Sequence, residues 1–583
     1  MTGLSIGERP FAPYPFEFVD RASQSIGAKR QPAPDGNCAA SANVVIVGGG
    51  ISGLSCALAL ASQKVPSIVL EADDTVCYGS RATCISRRSL EIFDRCGVAD
   101  AVVATSLPWT GGRSYYRNRE VLHFLMPTDG DQKFAPMVNI QQYRLEEILV
   151  QAIERMPEWI DLRWGTRLEA LSTEPEGVVL EVASSSGRST LRADWLVACD
   201  GGRSLVREAL QLPLLGTSYE GRYVIVDILM KSKHPTERRA WFDPESNPGS
   251  TILMHKQPDD LWRVDYQLKS EQDEVEAVKP ENVLPLVEAH LRMIGETGAW
   301  SPVWISLYKA KALSLERYRH GRVMFCGDAA HLVPIFGVRG ANSAIDDADN
   351  LAWKLAAVIN QAASDALLDS YSEERRYATH VNLDYGAKST EFMAPPSAAF
   401  EVMRDAVLNL AVDRPEIRSL INPRQTSVIY YRDSPLNSRS SEEQAFTAGP
   451  RPGENLPCMP LSLFEAGRAT RAIHLADVLQ AGKFLLLCFG SHANQAHSIA
   501  DVDHRLPLRV VTVVRARSTD PARPDLVDDS GRVFGRFDAR EGASYLIRPD
   551  GHVLGRWRVF DARRIGEELM IVAGDAVKEG QPA

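Results

Sequence analysis

Three stretches of the chain end an apolar run on glycines with a carboxylate close by, a combination suited to holding a phosphorylated, polyhydroxylated ligand. In "VVIVGGGISGLSCALALA", residues 44–61, Gly48, Gly50 and Gly53 form a G-x-G-x-x-G pattern. The first permits a tight turn, the second lets backbone approach a pyrophosphate, and the third lets helix and strand pack closely. Ser52 stands in the same turn, where phosphate oxygens would meet the positive end of a helix dipole. Glu71 follows 18 positions after Gly53 at the end of the next apolar run, placed to accept hydrogen bonds from an adenosine ribose. Packing alone can also demand three glycines, and the pattern does not separate FAD from NAD.

Two further stretches do separate them. In "LRADWLVACDGGRSLVREAL", the apolar run Trp195 to Cys199 stops at Asp200-Gly201, and Arg203, Ser204 and Arg207 follow as a helix begins; the plain account is an Asp-Gly turn with a capping serine. In "RVMFCGDAAHLVPIFGVRGANSAIDDADNLAWKL", Val323 to Cys326 is a strand with Asp328 at its carboxyl end, where open α/β sheets bind ligands. Pro334, Gly337 and Gly340 bring bare backbone against something flat, and a helix starting near Ala341 points its N-terminus there, with Gly340, Ala341 and Asn342 as contact candidates. Helical spacing places Ile345, Ala348, Leu351, Ala352 and Leu355 inward and Asp346, Asp347 and Asp349 outward, with the acids suiting the dipole. A flavin meets all these demands: Asp328 takes a ribitol hydroxyl, and the helix start takes the ring edge that gains negative charge on reduction.

In this order and spacing, the three motifs resemble the single-component FAD-dependent aromatic hydroxylases of the p-hydroxybenzoate hydroxylase fold. The likeness runs from about Asn43 to Leu368, and "GSRATCISRRSLEIFDRCG", "NIQQYRLEEIL" and "GVRGANSAIDDADNLAWKL" are most similar to the 3-(3-hydroxyphenyl)propionate hydroxylase and phenol hydroxylase branch. The resemblance implies FAD contacts by Arg81 and Gln142, and an Asp-Gly fingerprint role for Asp200 and Arg203 that serves FAD and pyridine nucleotide. It implies that NADH or NADPH binds transiently as co-substrate, which agrees with a single visible dinucleotide motif. Oxygen on the reduced cofactor would then give a C4a-hydroperoxyflavin that hydroxylates a phenolic ring. Phenol hydroxylase carries an aspartate shortly after the position of Arg81, where Thr83 stands here.

The elements that must position these residues follow from the patterning. "RYVIVDILM", "STILMHKQ" and "WRVDYQL" alternate as half-buried strands, with "PDDL" joining the last two. "GRSYYRNREVLHFLM" reads as a hairpin turning at Asn118-Arg119. An antiparallel sheet inserted in a Rossmann-like FAD-binding α/β domain is expected. The boundaries are an N-terminal extension at 1–42, an FAD-binding domain at 43–215 and 315–424 with helices from about Asp369 to Leu420, and a substrate-binding β domain at 216–314. A phenol of pKa about 10 is roughly 0.1% ionised at pH 7, so a cation or a base is needed near it. His255, Arg263 and Tyr266 are the catalytic candidates, with Asp227 beside them and Pro334 in the flavin loop. Arg263 and Tyr266 lie on opposite strand faces, so at most one points into a pocket.

Residues 425–450 form a Ser, Pro and Gly-rich linker. Beyond it, at 451–583, "KFLLLCF", "LRVVTVV" and "ASYLIRPDGHVLGRW" are strands of a small α/β unit similar to the thioredoxin-like C-terminal domain of phenol hydroxylase relatives. It has no Cys-x-x-Cys, so a structural or dimer-forming role, in a homodimer, is expected rather than thiol chemistry.

Composition narrows the remaining classes. With 65 basic and 75 acidic residues, net charge −10 and no basic stripe, nucleic acid is not an expected partner. Nine dispersed cysteines suggest neither a disulfide framework nor a metal site, and fit the cytoplasm. The uncharged run from Asn43 to Gln63 is a strand and a glycine break rather than a membrane span. "FGSHANQAH" offers Ser and His without the G-x-S-x-G of a hydrolase, and "WSPVWIS" lacks the W-x-W-x-I-P of a flavin halogenase. A Baeyer-Villiger or tailoring oxygenase of the same fold, and a non-catalytic FAD protein that binds an aromatic ligand, stay open as alternatives.

Overall fold

Val44 to Val47, too short and too β-branched for a helix, belong to the strand Ser41–Val47 at the centre of the first sheet. The protein is described here from a computed structural model covering residues 41–574 except 129, 270, 422–424, 440, 465–469, 491–504 and 516–524. The extension at 1–40 and the Ser and His residues of "FGSHANQAH" therefore lie outside the described residues.

In the first sheet, Ile160–Arg163, Ser67–Leu70, Ser41–Val47, Gly187–Ala198 and Val323–Phe325 lie side by side and parallel. Register sets Val47 beside Ala198, and Ala198 beside Phe325. Three motifs far apart in sequence thus end at one sheet edge. The helix after the first glycine loop, Ile51–Ala61, covers these strands with its fully buried Leu54 and packs on the helix Gly340–Ile359, which buries Ile345, Leu351 and Leu355. Each such side chain contributes about 1.5–3 kcal/mol by leaving water.

The second sheet runs His331–Leu332, Trp300–Ser314, Leu215–Met230, Leu261–Gln267, Thr251–Lys256, Arg238–Phe242, Gly111–Tyr116, Arg119–Leu125. It is antiparallel except at one junction, where Arg238–Phe242 pairs in parallel with Gly111–Tyr116, because the hairpin at 111–125 is recruited from before the main run of strands. That hairpin turns at Arg117-Asn118 rather than at Asn118-Arg119: Tyr116 faces Arg119 across the ladder, and Arg117 takes the positive φ of 53°. One face of the sheet packs Val224, Val226, Trp262 and Val264 on the helix Pro280–Met293 through Val283, Val287 and Leu291. The other face turns toward the parallel sheet's carboxyl edge, with the helices Leu367–Met393 and Ala398–Asp413 alongside.

A third sheet runs Arg471–His474, Pro460–Phe464, Asp525–Val527, Leu508–Val514, Phe484–Phe489, Ser544–Ile547, Val553–Trp557. It and the helix Ala562–Ala573 share an apolar cluster with Trp353 and Leu367. Among the described residues no helix is long and apolar enough to cross a membrane, and no group of three or more potential ligands could hold a metal ion.

The outward placement of the three aspartates needs correction. Asp347 is fully buried, while Asp346 and Asp349 are largely covered and pair with Arg88, at 3.0 and 3.2 Å. Neither acid nor base stands in the first turn of that helix. The helix is surrounded on more than one side, so its carboxylates meet guanidinium groups instead of water.

Candidate active site

The glycine loop is shaped by contacts that leave no room for side chains. A Cβ on Gly53 would stand 1.9 Å from the Gly48 carbonyl oxygen, and Gly48 has a φ of +106°. Gly49 donates its N–H to Glu71 Oε2 at 2.6 Å, and Asp73 donates to Glu71 Oε1 at 2.8 Å. Burial pushes the Glu71 carboxyl up to about 7 against those two donors. Ser52 faces away from the loop's open side, its hydroxyl lying 3.1 Å from Cys326 Sγ and 3.5 Å from Cys199 Sγ. Those cysteines are packing groups at the ends of their strands, and Ser52 fills the seam between them.

Gln142 accepts the N–H of Ala82 at 2.9 Å and donates to Glu146 at 2.8 Å, one helical turn on. Glu146 is the residue that sequence reasoning missed: it is buried, accepts from Cys77 N–H at 2.8 Å, and its Oε1 lies 3.8 Å from where a Gly50 Cβ would be. The signal was present as the i, i+4 spacing from Gln142. Arg81 is exposed on the loop these contacts hold.

At the second motif, Ser204 caps the helix Leu205–Ala209 by accepting from Arg207 N–H, and Asp200 Oδ2 accepts from Val206 N–H at 3.1 Å. Asp200 Oδ1 is buried without a protein partner, and burial raises its carboxyl. Arg203 is exposed. Arg207 donates to the carbonyls of Gly202 and Ala329, at 2.7 and 3.1 Å, and so joins this turn to the third.

The third turn, Gly327–Ala329, exposes Asp328 in the cleft, where the surrounding protein desolvates its carboxyl and pushes it up against the pull of His331 and Arg81. Asp347 fixes the turn from behind. It accepts from Gly327 N–H at 2.9 Å, His331 Nε2 at 2.7 Å and Arg375 Nε at 2.5 Å. Burial opposes its ionisation, but Arg375 and His331 outweigh burial and hold the carboxyl at about 2. Asn342 is buried and spent on protein groups, accepting from Ser86 N–H and Ser89 Oγ and donating to the Cys84 and Val338 carbonyls. Gly340 and Ala341 begin the helix beside it. Pro334 is buried against Gly386 of the long helix.

Between the second sheet and the helix Leu367–Met393 lies a cavity of about 360 Å³ lined by Phe124, Leu253, Phe336, Phe392, Arg238 and Lys388, among others, with Phe336 coming from the loop after the third turn. Arg263 is buried and committed, donating to Asp227 at 3.2 Å, to Ser80 Oγ and carbonyl, and to the Arg81 carbonyl at 2.7 Å. It clamps the loop bearing Arg81. Tyr266 is not brought to the cavity: three positions on, it stands in the opposite-face core, as strand alternation requires. His255 shares Arg263's face, and burial with Arg238 and Arg263 nearby keeps its imidazole neutral. Asp265, also on this face, was not singled out by sequence; burial pushes it up to about 7.

Residues 41–384 match the family described as FAD binding domain. The chain belongs to this family. The site fits the cofactor: the positions of Gly201 and Gly340 meet nothing within 4 Å where a Cβ would be, which leaves bare backbone along the cleft, and Asp200 offers its orphaned oxygen. As an FAD-binding chain it is 27% identical over 532 residues to the 3-(3-hydroxy-phenyl)propionate/3-hydroxycinnamic acid hydroxylase of Mycolicibacterium smegmatis, covering 89% of this chain and 91% of that one. It is 26% identical over 551 residues to the hydroxylase of the same name from Klebsiella pneumoniae, covering 92% and 96%. Among solved structures it is similar to the flavin-dependent monooxygenase PieE in complex with FAD and substrate, with TM-score 0.75, 24% identity, and 93% and 100% of the two chains covered. Aklavinone-11 hydroxylase with FAD and aklavinone gives TM-score 0.71 at 24% identity, over 91% and 99%. These two structures speak for the fold.

Proposed function

We propose that this FAD-binding chain is an NAD(P)H-dependent monooxygenase that hydroxylates a phenolic ring. The observation that carries the reading is the meeting of three fingerprint turns at one sheet edge, together with an aromatic-lined cavity that takes Phe336 from the loop after the third turn. Bound FAD, reduced by NADH or NADPH, supplies the activation of O2 that no side chain provides. The chain's own groups then have separate tasks. Asp328, Asp200, Arg81, Arg203 and the bare backbone at Gly50 and Gly340 would hold the cofactor, with Glu71 and Gln142 shaping its loops. Phe124, Phe336 and Phe392 exclude water and orient a flat ring. Arg238, which donates to Gln425 Oε1 at 3.1 Å, places a buried cation at the cavity, so a phenol that also bears an anionic group is the favoured substrate class.

We read the cavity-bearing sheet as the substrate domain at 216–314, extended by the hairpin at 111–125, between FAD-binding parts at 43–215 and 315–424. The unit at 451–583 is read as thioredoxin-like, supported by its order Leu508–Val514, Phe484–Phe489, Ser544–Ile547, Val553–Trp557 with the first pair parallel and the others antiparallel. A cytoplasmic homodimer completes the proposal, to be checked by mass in solution. The functional test is a screen of phenols and phenylalkanoic acids for stimulated NAD(P)H oxidation, with peroxide followed alongside. A yellow, FAD-loaded protein that oxidises NAD(P)H at the same rate with every ring compound would overturn the reading.

A further inference from the structure

The cavity between the second sheet and the long helix is a slot whose floor is hollowed in the middle. On Arg238–Phe242, strand alternation puts Arg238, Ala240 and Phe242 on the cavity side, and all three line it. Ala240 stands opposite Leu253 on one neighbouring strand and opposite Ser114 on the other, and Ser114 in turn stands opposite Leu122. One row across four strands therefore runs Leu253, Ala240, Ser114, Leu122. Three strand spacings set its outer Cα atoms about 14 Å apart, and the two middle positions carry small side chains. In the row beside it, Arg238 stands opposite Gly112 and Gly112 opposite Phe124. A Cβ on Gly112 would lie 2.8 Å from the Phe124 ring, so that ring lies over the glycine.

The roof is a single helix face. Tyr385, Ser389 and Phe392 recur at i, i+4 and i+7 along Leu367–Met393, and all line the cavity. Phe242 meets Phe392 edge to face across the slot, ring centroids 5.4 Å apart, and Phe336 is fixed edge to face on buried Tyr223 at 5.1 Å. The enclosed space of about 360 Å³ lies in the range of about 300–1,000 Å³ that holds drug-sized ligands, more than one phenol ring fills. Its charge is one-sided: the charged lining residues are Arg113, Arg238 and Lys388. Arg113 is paired with Glu120 and Glu237, and Lys388 is exposed, whereas Arg238 is buried and donates to the neutral amide of Gln425. A buried cation resting on a neutral partner is costly, and a ligand carboxylate relieves that cost.

We propose that Ala240 and Ser114 determine the size of ring system this protein accepts, and that the slot takes a flat phenol of two fused rings bearing a carboxylate. The rings lie over Ala240 and Ser114 beneath Phe392, and the carboxylate reaches Arg238. The proposal rests on the phenol-hydroxylase reading and narrows its substrate class. A leucine at either small position would continue the bulky outer pair, Leu253 and Leu122, across the row and close the hollow to a second ring.

The test uses FAD-loaded protein with 6-hydroxy-2-naphthoate, 4-hydroxybenzoate and 2-naphthol, following stimulated NAD(P)H oxidation and taking each Kd from flavin difference spectra. Wild type is expected to bind the naphthoate at least about tenfold more tightly than the benzoate. Ala240→Leu and Ser114→Leu should each reduce that ratio about tenfold, through KM and Kd rather than kcat. Arg238→Met should weaken the naphthoate about tenfold and 2-naphthol, which has no carboxylate, much less. Flavin content and melting temperature identify any variant that fails to fold; Ala240→Val is then the smaller step, and the wild-type comparison decides without any variant. Equal affinity for the one-ring and two-ring acids in wild type, or a ratio unmoved by the folded leucine variants, overturns the size assignment and leaves the hydroxylase reading in place. An FAD-loaded wild type whose NAD(P)H oxidation none of the three compounds nor any other phenol stimulates overturns that reading, and the size assignment with it.

Discussion

At the scale of single residues, Asp328 in the third turn is open to the cleft while Asp347, on the helix behind it, is buried against protein groups. Asp328 is exposed in the cleft, so Asp328→Ala should lower FAD affinity at least about tenfold with little change in fold, as measured by flavin absorbance per protein after dialysis. Asp347 does the opposite. Removing its charge leaves Arg375 buried without its carboxylate partner, and Asp347→Asn should cost about 3–5 kcal/mol in denaturant unfolding at neutral pH. Arg375 and His331 hold its carboxyl at about 2 in the folded protein, below the ordinary range of an aspartate. A depressed carboxylate stabilises above the unfolded pKa and loses that contribution as pH falls through the folded one. The stability gap between wild type and Asp347→Asn should therefore be full above about pH 4 and shrink toward pH 2, and a gap that stays constant over that interval contradicts the assignment.

At the scale of elements, the glycines divide into those that permit packing and those that face the cleft. Gly53→Ala would drive a Cβ into the Gly48 carbonyl, so both flavin content and melting temperature should fall. Gly340→Ala meets nothing within 4 Å and sits at a helix start with ordinary φ, so stability should hold or rise by up to about 1 kcal/mol while FAD affinity falls. Calorimetry and a flavin titration on the same two variants distinguish the classes. The strands and the glycine-loop helix were legible because their patterns are local: a β-branched run before glycines, and alternation in "WRVDYQL". Tyr266 and Arg263 were correctly assigned to opposite faces for the same reason. The parallel junction at Arg238–Phe242 was not legible, because nothing in a strand's own sequence names its neighbour.

At the scale of the whole molecule, the C-terminal sheet is locked to the long helix by buried charge. Arg548 reaches Glu374 at 2.6 and 2.8 Å, Lys354 reaches it at 2.8 Å, and Arg375 from the same helix contacts the Tyr431 hydroxyl and Asp347 behind the flavin turn. Glu374→Gln should cost about 3–5 kcal/mol by leaving buried Lys354 without its counter-charge and Arg548 with Asp550 alone. It should also uncouple the C-terminal unit, so that unfolding followed by the flavin signal and by total tryptophan fluorescence no longer coincides. Coincident transitions in that variant would mean that the apolar contact of Trp353 and Leu367 with the third sheet is sufficient to couple them.

Sequence by itself determined the cofactor motifs, the strands and helices that carry them, and the alternation that sorts side chains between two faces. All of these depend on residues within a few turns of one another. Only the tertiary structure decided that Asp347 is interior, that Arg263 is occupied by Asp227 and Ser80, that Glu146 stands beside the glycine loop, and that Asp265 is buried on the face of Arg263. Burial, charge partners and unmet hydrogen bonds are properties of what surrounds a residue, and those surroundings come from chain segments dozens to hundreds of positions away.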